Sequence, residues 1–361
     1  MIPVTKPFQP PLDEYYDYLK NIWERNWFTN NGPVVNELEL KLKEYLDVPH
    51  LLFLNNGTIA LQIAIKALGL QGEIITTPFS YVATTSSIVW EGCKPKFVDI
   101  DPHTLNIDPA KIEQAITKDT SAILATHVYG NPCDIDGIQA IAEKHGLKVI
   151  YDAAHCFGST YKGRSVYAYG DVSTASFHAT KLFHTVEGGA VFTNEAALLK
   201  KMAFMRNFGH AGPEDFAEIG INGKNSELHA AMGLTNLKYV TKILAYRKSQ
   251  STHYDKWLNK INIKTQVINK LAGYNYSYYP VIFSDEATTL AVIKELEADR
   301  IQPRRYFHPS LNTVAIYNAG QFPISEDISK RILCLPLYHT LSEEEIDFVC
   351  SIILRALKYS V

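Results

Sequence analysis

The sequence predicts an α/β protein, a mostly parallel central sheet covered by helices and followed by a smaller C-terminal α+β domain. Two observations carry that expectation. Between His50 and Tyr151, short apolar runs alternate with stretches of helical periodicity, as in a parallel sheet whose crossovers are helices. From about Ser249 the texture changes to an aromatic, strand-like run flanked by strong helix patterns. A chain of 361 residues is long enough for two cores. The expected division is an N-terminal arm and large domain over 1–248, then a small domain over 249–361.

The elements follow in order. Pro11 to Arg25 carries Tyr15, Tyr18, Leu19, Ile22 and Trp23 at helical spacing, and Asn26 to Pro33 reads as a loop. Val34 to Leu46 is helical again. His50 to Leu54 is a buried strand, Asn55-Asn-Gly-Thr58 a turn, and Ile59 to Leu68 a helix. Strands are expected at Glu73–Thr77, Lys96–Asp99, Ser121–His127 and Lys148–Tyr151, with helices at Val82–Trp90 and Gly137–Lys144. Glu195–Asn207 and one long segment, Ser226–Lys248, are read as helices. In the small domain, Tyr274–Phe283 is read as a strand and Asp285–Arg300 as a helix. Ser342 caps a terminal helix with an acidic first turn.

Composition excludes several function classes. Hydrophobic residues make up 46% and charged residues 20%, an ordinary globular balance. A net charge of -3 leaves no basic footprint, so no nucleic-acid partner is expected. No apolar run approaches a membrane span, and the N-terminus lacks a charged head followed by an apolar stretch. A cytoplasmic protein with no membrane partner is the expectation. Cys93, Cys133, Cys156, Cys334 and Cys350 are scattered, which suits neither a disulfide framework nor a metal site. Cys156, although close to Asp152, reads as buried filler.

The chemistry concentrates around one lysine. In Ser176-Phe-His-Ala-Thr-Lys181-Leu-Phe-His-Thr-Val-Glu187-Gly-Gly189, the amine sits in apolar and aromatic company shortly before a Gly-Gly turn. Upstream, Lys148-Val-Ile-Tyr-Asp152-Ala-Ala-His155 ends an apolar strand with a carboxylate. A desolvated amine that can form a Schiff base, and a carboxylate that keeps a pyridine nitrogen protonated, are the groups a pyridoxal phosphate (PLP) enzyme needs. Strand, Asn-Gly-Thr turn and helix would leave free N–H groups at a helix N-terminus, which suits a phosphate; the same residues can also simply cap the helix. In parallel sheets ligands bind beyond the carboxyl ends of the strands. Thr58, Tyr81, His127, Asp152 and Lys181 all fall at or beyond such ends, so one shared pocket is expected.

Asn55-Asn-Gly-Thr-Ile-Ala-Leu61, Tyr151-Asp-Ala-Ala-His155, Ser176-Phe-His-Ala-Thr-Lys181, Glu187-Gly-Gly189 and Gly220-Ile-Asn-Gly-Lys-Asn-Ser-Glu-Leu-His-Ala-Ala231 occur in that order. Together with Trp27-Phe-Thr-Asn-Asn-Gly-Pro33 and Arg304-Arg-Tyr-Phe-His-Pro309, they resemble the DegT/StrS family of PLP-dependent nucleotide-sugar aminotransferases, over nearly the whole chain. The resemblance implies the aspartate aminotransferase-like (type I) fold, with Lys181 as the catalytic lysine. It further implies Gly57, Thr58 and Ser176 on the cofactor phosphate, Asp152 on the pyridine nitrogen, His155 near the ring oxygen and Tyr81 stacked on the ring. Asn222 and Lys224 match a loop that in the family crosses to a neighbouring subunit's phosphate, which implies a homodimer with shared sites. The commoner family form has arginine where Lys224 stands, a two-pronged donor in place of a point charge. Trp27, Thr29, Arg305 and His308 are implied on the nucleotide-sugar side, Arg305 facing the diphosphate. Some relatives carry histidine at the lysine position and act as dehydratases; lysine here implies transamination.

The implied reaction moves nitrogen from an amino acid, glutamate being the expected donor, to C4 of dTDP-4-keto-6-deoxy-D-glucose, giving dTDP-4-amino-4,6-dideoxyglucose. Two alternatives stay open: amination at C3 of dTDP-3-keto-6-deoxyhexose, and a non-catalytic, PLP-binding regulatory protein.

Overall fold

The computed structural model describes residues 1–261, 263–317 and 319–359. In chain order the first ten strands are β1 (Ile2–Pro3), β2 (His50–Leu54), β3 (Glu73–Thr76), β4 (Lys94–Phe97), β5 (Thr120–Thr126), β6 (Lys148–Asp152), β7 (Thr160–Tyr161), β8 (Arg164–Ser165), β9 (Val172–Ser176) and β10 (Gly189–Thr193). Seven of them form the central sheet in the order β2-β10-β9-β6-β5-β3-β4. β10 is antiparallel to β2 and β9, while the other pairings are parallel.

Strand geometry explains why these strands read as apolar runs. Successive side chains face opposite sides of a sheet, so a strand covered on both faces needs apolar residues at odd and even positions alike. Leu51, Phe53, Ile123, Ala125, Val149 and Tyr151 enter the core on one face. Leu52, Leu54, Ala122, Leu124 and Ile150 enter the core on the other. The helices α1 (Leu12–Arg25) and α2 (Pro33–Leu46) lie on the first face, α2 burying Val34, Val35, Leu38, Leu42 and Leu46.

Helix α3 (Gly57–Ala67) packs on the second face and buries Ala60, Leu61, Ile63, Ala64 and Ile65, its large aliphatic side chains contributing about 1.5–3 kcal/mol each. Its start is fixed by Asn56, whose side chain accepts from Ile59 N–H at 2.8 Å. Asn56 thus begins the helix two residues earlier than Ile59, the start expected from apolar periodicity. Helix α4 (Val82–Trp90) matches its expected bounds.

The small domain has an antiparallel sheet of Lys264–Thr265, Tyr279–Ile282 and Ile332–Leu335. Helices Glu286–Ala298 and Glu343–Tyr359 cover it, with Val281, Leu296, Leu333, Ile346 and Ile353 in its core. β1 pairs in parallel with Ile301–Gln302, so the first residues of the chain join the small domain's side. Val4, Phe79, Tyr129, Phe307 and Cys334 form a further core between the two parts.

Three expectations change. The segment 226–248 is not one helix but two, Glu227–Leu237 and Val240–Leu258. They part at Lys238 and Tyr239, whose side chains both bind Glu14 of α1 and so hold the turn against the first helix. The second helix runs through 248, burying Val240 and Ile243 in the large core and Tyr254 and Leu258 in the small one. The aromatic run from Tyr274 is strand only over Tyr279–Ile282, because Tyr274 and Asn275 use side-chain hydrogen bonds to tie the segment to Tyr129, His155 and Phe157. β9 and β10 had no counterpart in the apolar pattern. Among the described residues no helix is long and apolar enough to cross a membrane, and no cluster suited to a metal ion occurs.

Candidate active site

The carboxyl ends of the central strands open into a cavity of about 330 Å³. Its floor is a register row. Thr126 on β5 pairs with Asp152 on β6, and Asp152 pairs with Thr174 on β9. Residues in register share a face, so all three side chains line the cavity. His127, one position further along the chain, takes the opposite face. It stacks on Tyr151 at 4.6 Å, and its Nδ1 accepts from Cys133 N–H at 3.0 Å. It was expected in the shared pocket; the period of two instead buries it among apolar neighbours, where desolvation lowers its pKa to about 3.

Gly57, Thr58, Tyr81, Asp152, His155, Ser176 and Lys181 all line the cavity. Asp152 is buried; its Oδ2 accepts from Thr84 Oγ1 at 2.7 Å and its Oδ1 from Ala154 N–H at 3.1 Å. Burial raises its pKa, and the Thr84 and Ala154 hydrogen bonds and the Lys181 charge pull the other way. Lys181 is half-buried beside it. Desolvation outweighs the nearby Asp152 and lowers the amine's pKa to about 8. At pH 7 about one amine in ten is then neutral, against roughly one in three thousand for an ordinary lysine.

The lining fits the PLP expected from the sequence. Helix α3 presents its N-terminus to the cavity, and its Ile59 and Ala60 N–H groups bond to Asn56. The first-turn N–H groups of Gly57 and Thr58 have no acceptor within the helix, which suits an anion. The cradle is tight: a Cβ on Gly57 would lie 3.0 Å from Ser176 Cβ, and one on Gly189 only 2.4 Å from the Asn56 carbonyl carbon. His155 Nδ1 is buried at the cavity without a hydrogen-bond partner, and burial holds the ring's pKa well below its usual value. A polar group bound there would complete its bonding.

The remaining expected residues lie elsewhere. Trp27 donates its indole N–H to the Thr29 carbonyl at 2.6 Å, and neither residue lines the cavity. Arg305 is turned away, its Nη2 bonding Glu286 Oε1 and the Lys330 carbonyl, each at 2.9 Å. His308 is exposed outside the lining; from that segment Tyr306 and Phe307 reach the cavity instead. Asn222 and Lys224 are also outside it, Lys224 standing 4.3 Å over the Phe208 ring in a separate cleft with Arg206 and His210.

Other lining residues had no sequence assignment. His178 and Glu187 stand at the cavity with Nε2 and Oε1 3.5 Å apart. Both sit inside the motif around Lys181, which was the available signal. Tyr278, from the small domain, also lines the cavity, and nothing in its local sequence marked it.

A family model described as the DegT/DnrJ/EryC1/StrS aminotransferase family matches residues 12–354. A dTDP-4-amino-4,6-dideoxy-D-glucose transaminase of Shigella dysenteriae is 44% identical over 359 residues, covering 97% of each chain. A protein of the same name from Escherichia coli is 42% identical, covering 95% of each. Among solved structures, DesI in the presence of its TDP-sugar product superposes with a TM-score of 0.93 at 33% identity, covering 99% of this chain and 93% of that one.

Proposed function

The chain belongs to the DegT/DnrJ/EryC1/StrS aminotransferase family, whose members depend on PLP, and on that footing we propose that it aminates C4 of dTDP-4-keto-6-deoxy-D-glucose. The donor is an amino acid, glutamate being the expected one, and the product is dTDP-4-amino-4,6-dideoxyglucose. The observation that carries the sugar assignment is the shared name of two relatives at 44% and 42% identity over nearly the full chain. The amine–carboxylate pair of Lys181 and Asp152 in one cavity supports the chemistry.

PLP, when bound, supplies an aldehyde and an electron-withdrawing ring on which an amino group passes from one substrate to the other. The roles proposed for the chain's own residues are those the family resemblance implies, and the cavity lining supports seven of them. Lys181 Nζ would hold the cofactor through its aldehyde carbon and would serve to move the proton at the donor's Cα. Its lowered pKa favours the neutral, nucleophilic amine. Asp152 would accept from the pyridine N–H, a role its burial and the Thr84 hydrogen bond support. Gly57 and Thr58 N–H groups and the Ser176 hydroxyl would take the phosphate, His155 Nδ1 would bond the ring oxygen, and Tyr81 would cover the ring and exclude water. Asn222 and Lys224, which lie outside this cavity, would reach a neighbouring subunit's phosphate as the family resemblance implies, making the working unit a homodimer.

The test is a reaction of purified protein with glutamate and, in separate incubations, dTDP-4-keto-6-deoxyglucose and dTDP-3-keto-6-deoxyglucose, the products read by NMR. An amine at C4, absent with Lys181→Ala, is the expected result. An amine at C3, or no amine with either keto sugar, would overturn the reading.

A further inference from the structure

Glu187 stands at the cavity in a way its neighbours do not explain by packing. Its carboxylate is 54% exposed, yet the backbone beneath it is pinned. The Glu187 carbonyl accepts from Thr185 Oγ1 at 2.7 Å and from Asn225 Nδ2 at 2.9 Å. Val186, immediately before it, has φ of 68°, a left-handed conformation that a β-branched residue rarely adopts. Ala179 N–H holds the Val186 carbonyl at 2.7 Å, and Val186 N–H bonds His184 Nδ1 at 3.2 Å, so the conformation is fixed from both sides. Strain kept in place by surrounding bonds is a feature of functional turns. What this turn presents to the cavity is one carboxylate.

The second group at the rim is His178. Thr180 N–H donates to His178 Nδ1 at 3.2 Å, so the proton of the neutral ring sits on Nε2, facing Glu187 Oε1 at 3.5 Å. Glu187 Oε2 has no protein donor among the described residues. A carboxylate only accepts hydrogen bonds. The two substrates of an aminotransferase differ in that respect: a hexose brings hydroxyl donors, whereas an amino acid, once its amine is committed to the cofactor, presents carboxylates, which accept only and carry the same charge.

We propose that Glu187, oriented by His178, is the residue that distinguishes hexose from amino acid in this cavity, accepting sugar hydroxyls and repelling the donor's carboxylates. The inference rests on the nucleotide-sugar reading above.

Binding of dTDP and of dTDP-glucose to the PLP-loaded protein, measured by titration calorimetry, separates the two claims. Glu187→Gln keeps the shape and removes the charge. It is expected to weaken dTDP-glucose about tenfold or more while leaving dTDP, which has no hexose, unchanged. Unchanged dTDP binding also reports an intact fold. In turnover the same variant raises the KM for the keto sugar and leaves unchanged or lowers the KM for glutamate. Equal loss of affinity for both nucleotides, no loss for either, or a rise of both KM values in step would overturn the role of Glu187. Wild-type protein that binds neither nucleotide would instead overturn the nucleotide-sugar reading itself.

Discussion

Thr84 Oγ1 donates to Asp152 Oδ2 at 2.7 Å, across 68 residues of chain. Thr84 is on α4 and fully buried, so its hydroxyl serves this carboxylate and nothing in solvent. The bond lowers the Asp152 pKa against the rise that burial imposes, keeping the charged form available for a pyridinium. Thr84→Val preserves shape and removes the donor, leaving a buried carboxylate with one protein hydrogen bond fewer. We expect a loss of about 1.5–3 kcal/mol in stability and weaker PLP retention, measured by denaturant melts and by cofactor titration. Thr84→Ser should restore most of both.

Lys181 gives the cofactor-free protein a pH-dependent weakness. Its pKa is about 8 when folded and returns toward 10.5 when unfolded. Below pH 8 both states hold the proton and the cost of desolvating the charge is present in full. Between pH 8 and 10.5 the unfolded state binds more protons, so stability rises with pH until the cost is gone. Lys181→Met removes the group. At pH 7 the cofactor-free variant should be more stable than wild type by about 1–3 kcal/mol, the gap closing as pH climbs toward 10, as read from urea midpoints. Turnover by the same variant should be lost.

The proposed phosphate cradle depends on two glycines with φ in the ordinary range, so the constraint is space and not backbone conformation. A Cβ at Gly189 would meet the Asn56 carbonyl carbon at 2.4 Å and Gly57 N at 2.7 Å, both backbone atoms. Gly189→Ala should therefore push β10 from the start of α3, costing about 1–3 kcal/mol and loosening PLP. At Gly57 the neighbour is Ser176 Cβ at 3.0 Å, so Gly57→Ala should fold closer to normally while still weakening the cofactor. Thermal melts and PLP titrations of the pair distinguish the two effects.

The proposed sharing of sites between subunits predicts complementation. Lys181→Ala and Lys224→Ala homodimers should each have low activity. Mixed and refolded together, they should recover about a quarter of wild-type turnover, because half of the molecules are hybrids with one intact site of two. No recovery would place Lys224 outside the neighbouring site.

Much of this arrangement was legible in the sequence. The residues of β2 and α4 were found to the residue, since a doubly covered strand and a helix without charge breaks have clear periods. Seven of the expected site residues meet at one cavity; Thr58, Tyr81, Asp152 and Lys181 were marked by their place at the end of an apolar run, whereas Gly57, His155 and Ser176 were assigned by the family resemblance. Others had no such signature. β9 reads Val172-Ser-Thr-Ala-Ser176 and β10 Gly189-Ala-Val-Phe-Thr193, where small and hydroxyl residues dilute the apolar pattern. His127 looked equivalent to Asp152, and only the register row separates them. Arg305 is a phosphate-binding residue type whose partner, Glu286, lies 19 residues away in sequence and was not visible as such. Tyr278 and Phe307 reach the cavity, and Thr84 reaches Asp152, through tertiary packing alone.

The helix Val240–Leu258 is anchored at one end by Val240 and Ile243 and at the other by Tyr254 and Leu258, in different cores. Gln250, at its centre, donates to the Tyr338 and Leu341 carbonyls, each at 2.8 Å. A member clamped at both ends and the middle acts as a fixed spar between the two parts of the molecule. By tying the two cores together, it links the small-domain residue Tyr278 to the large-domain residues that line the same cavity.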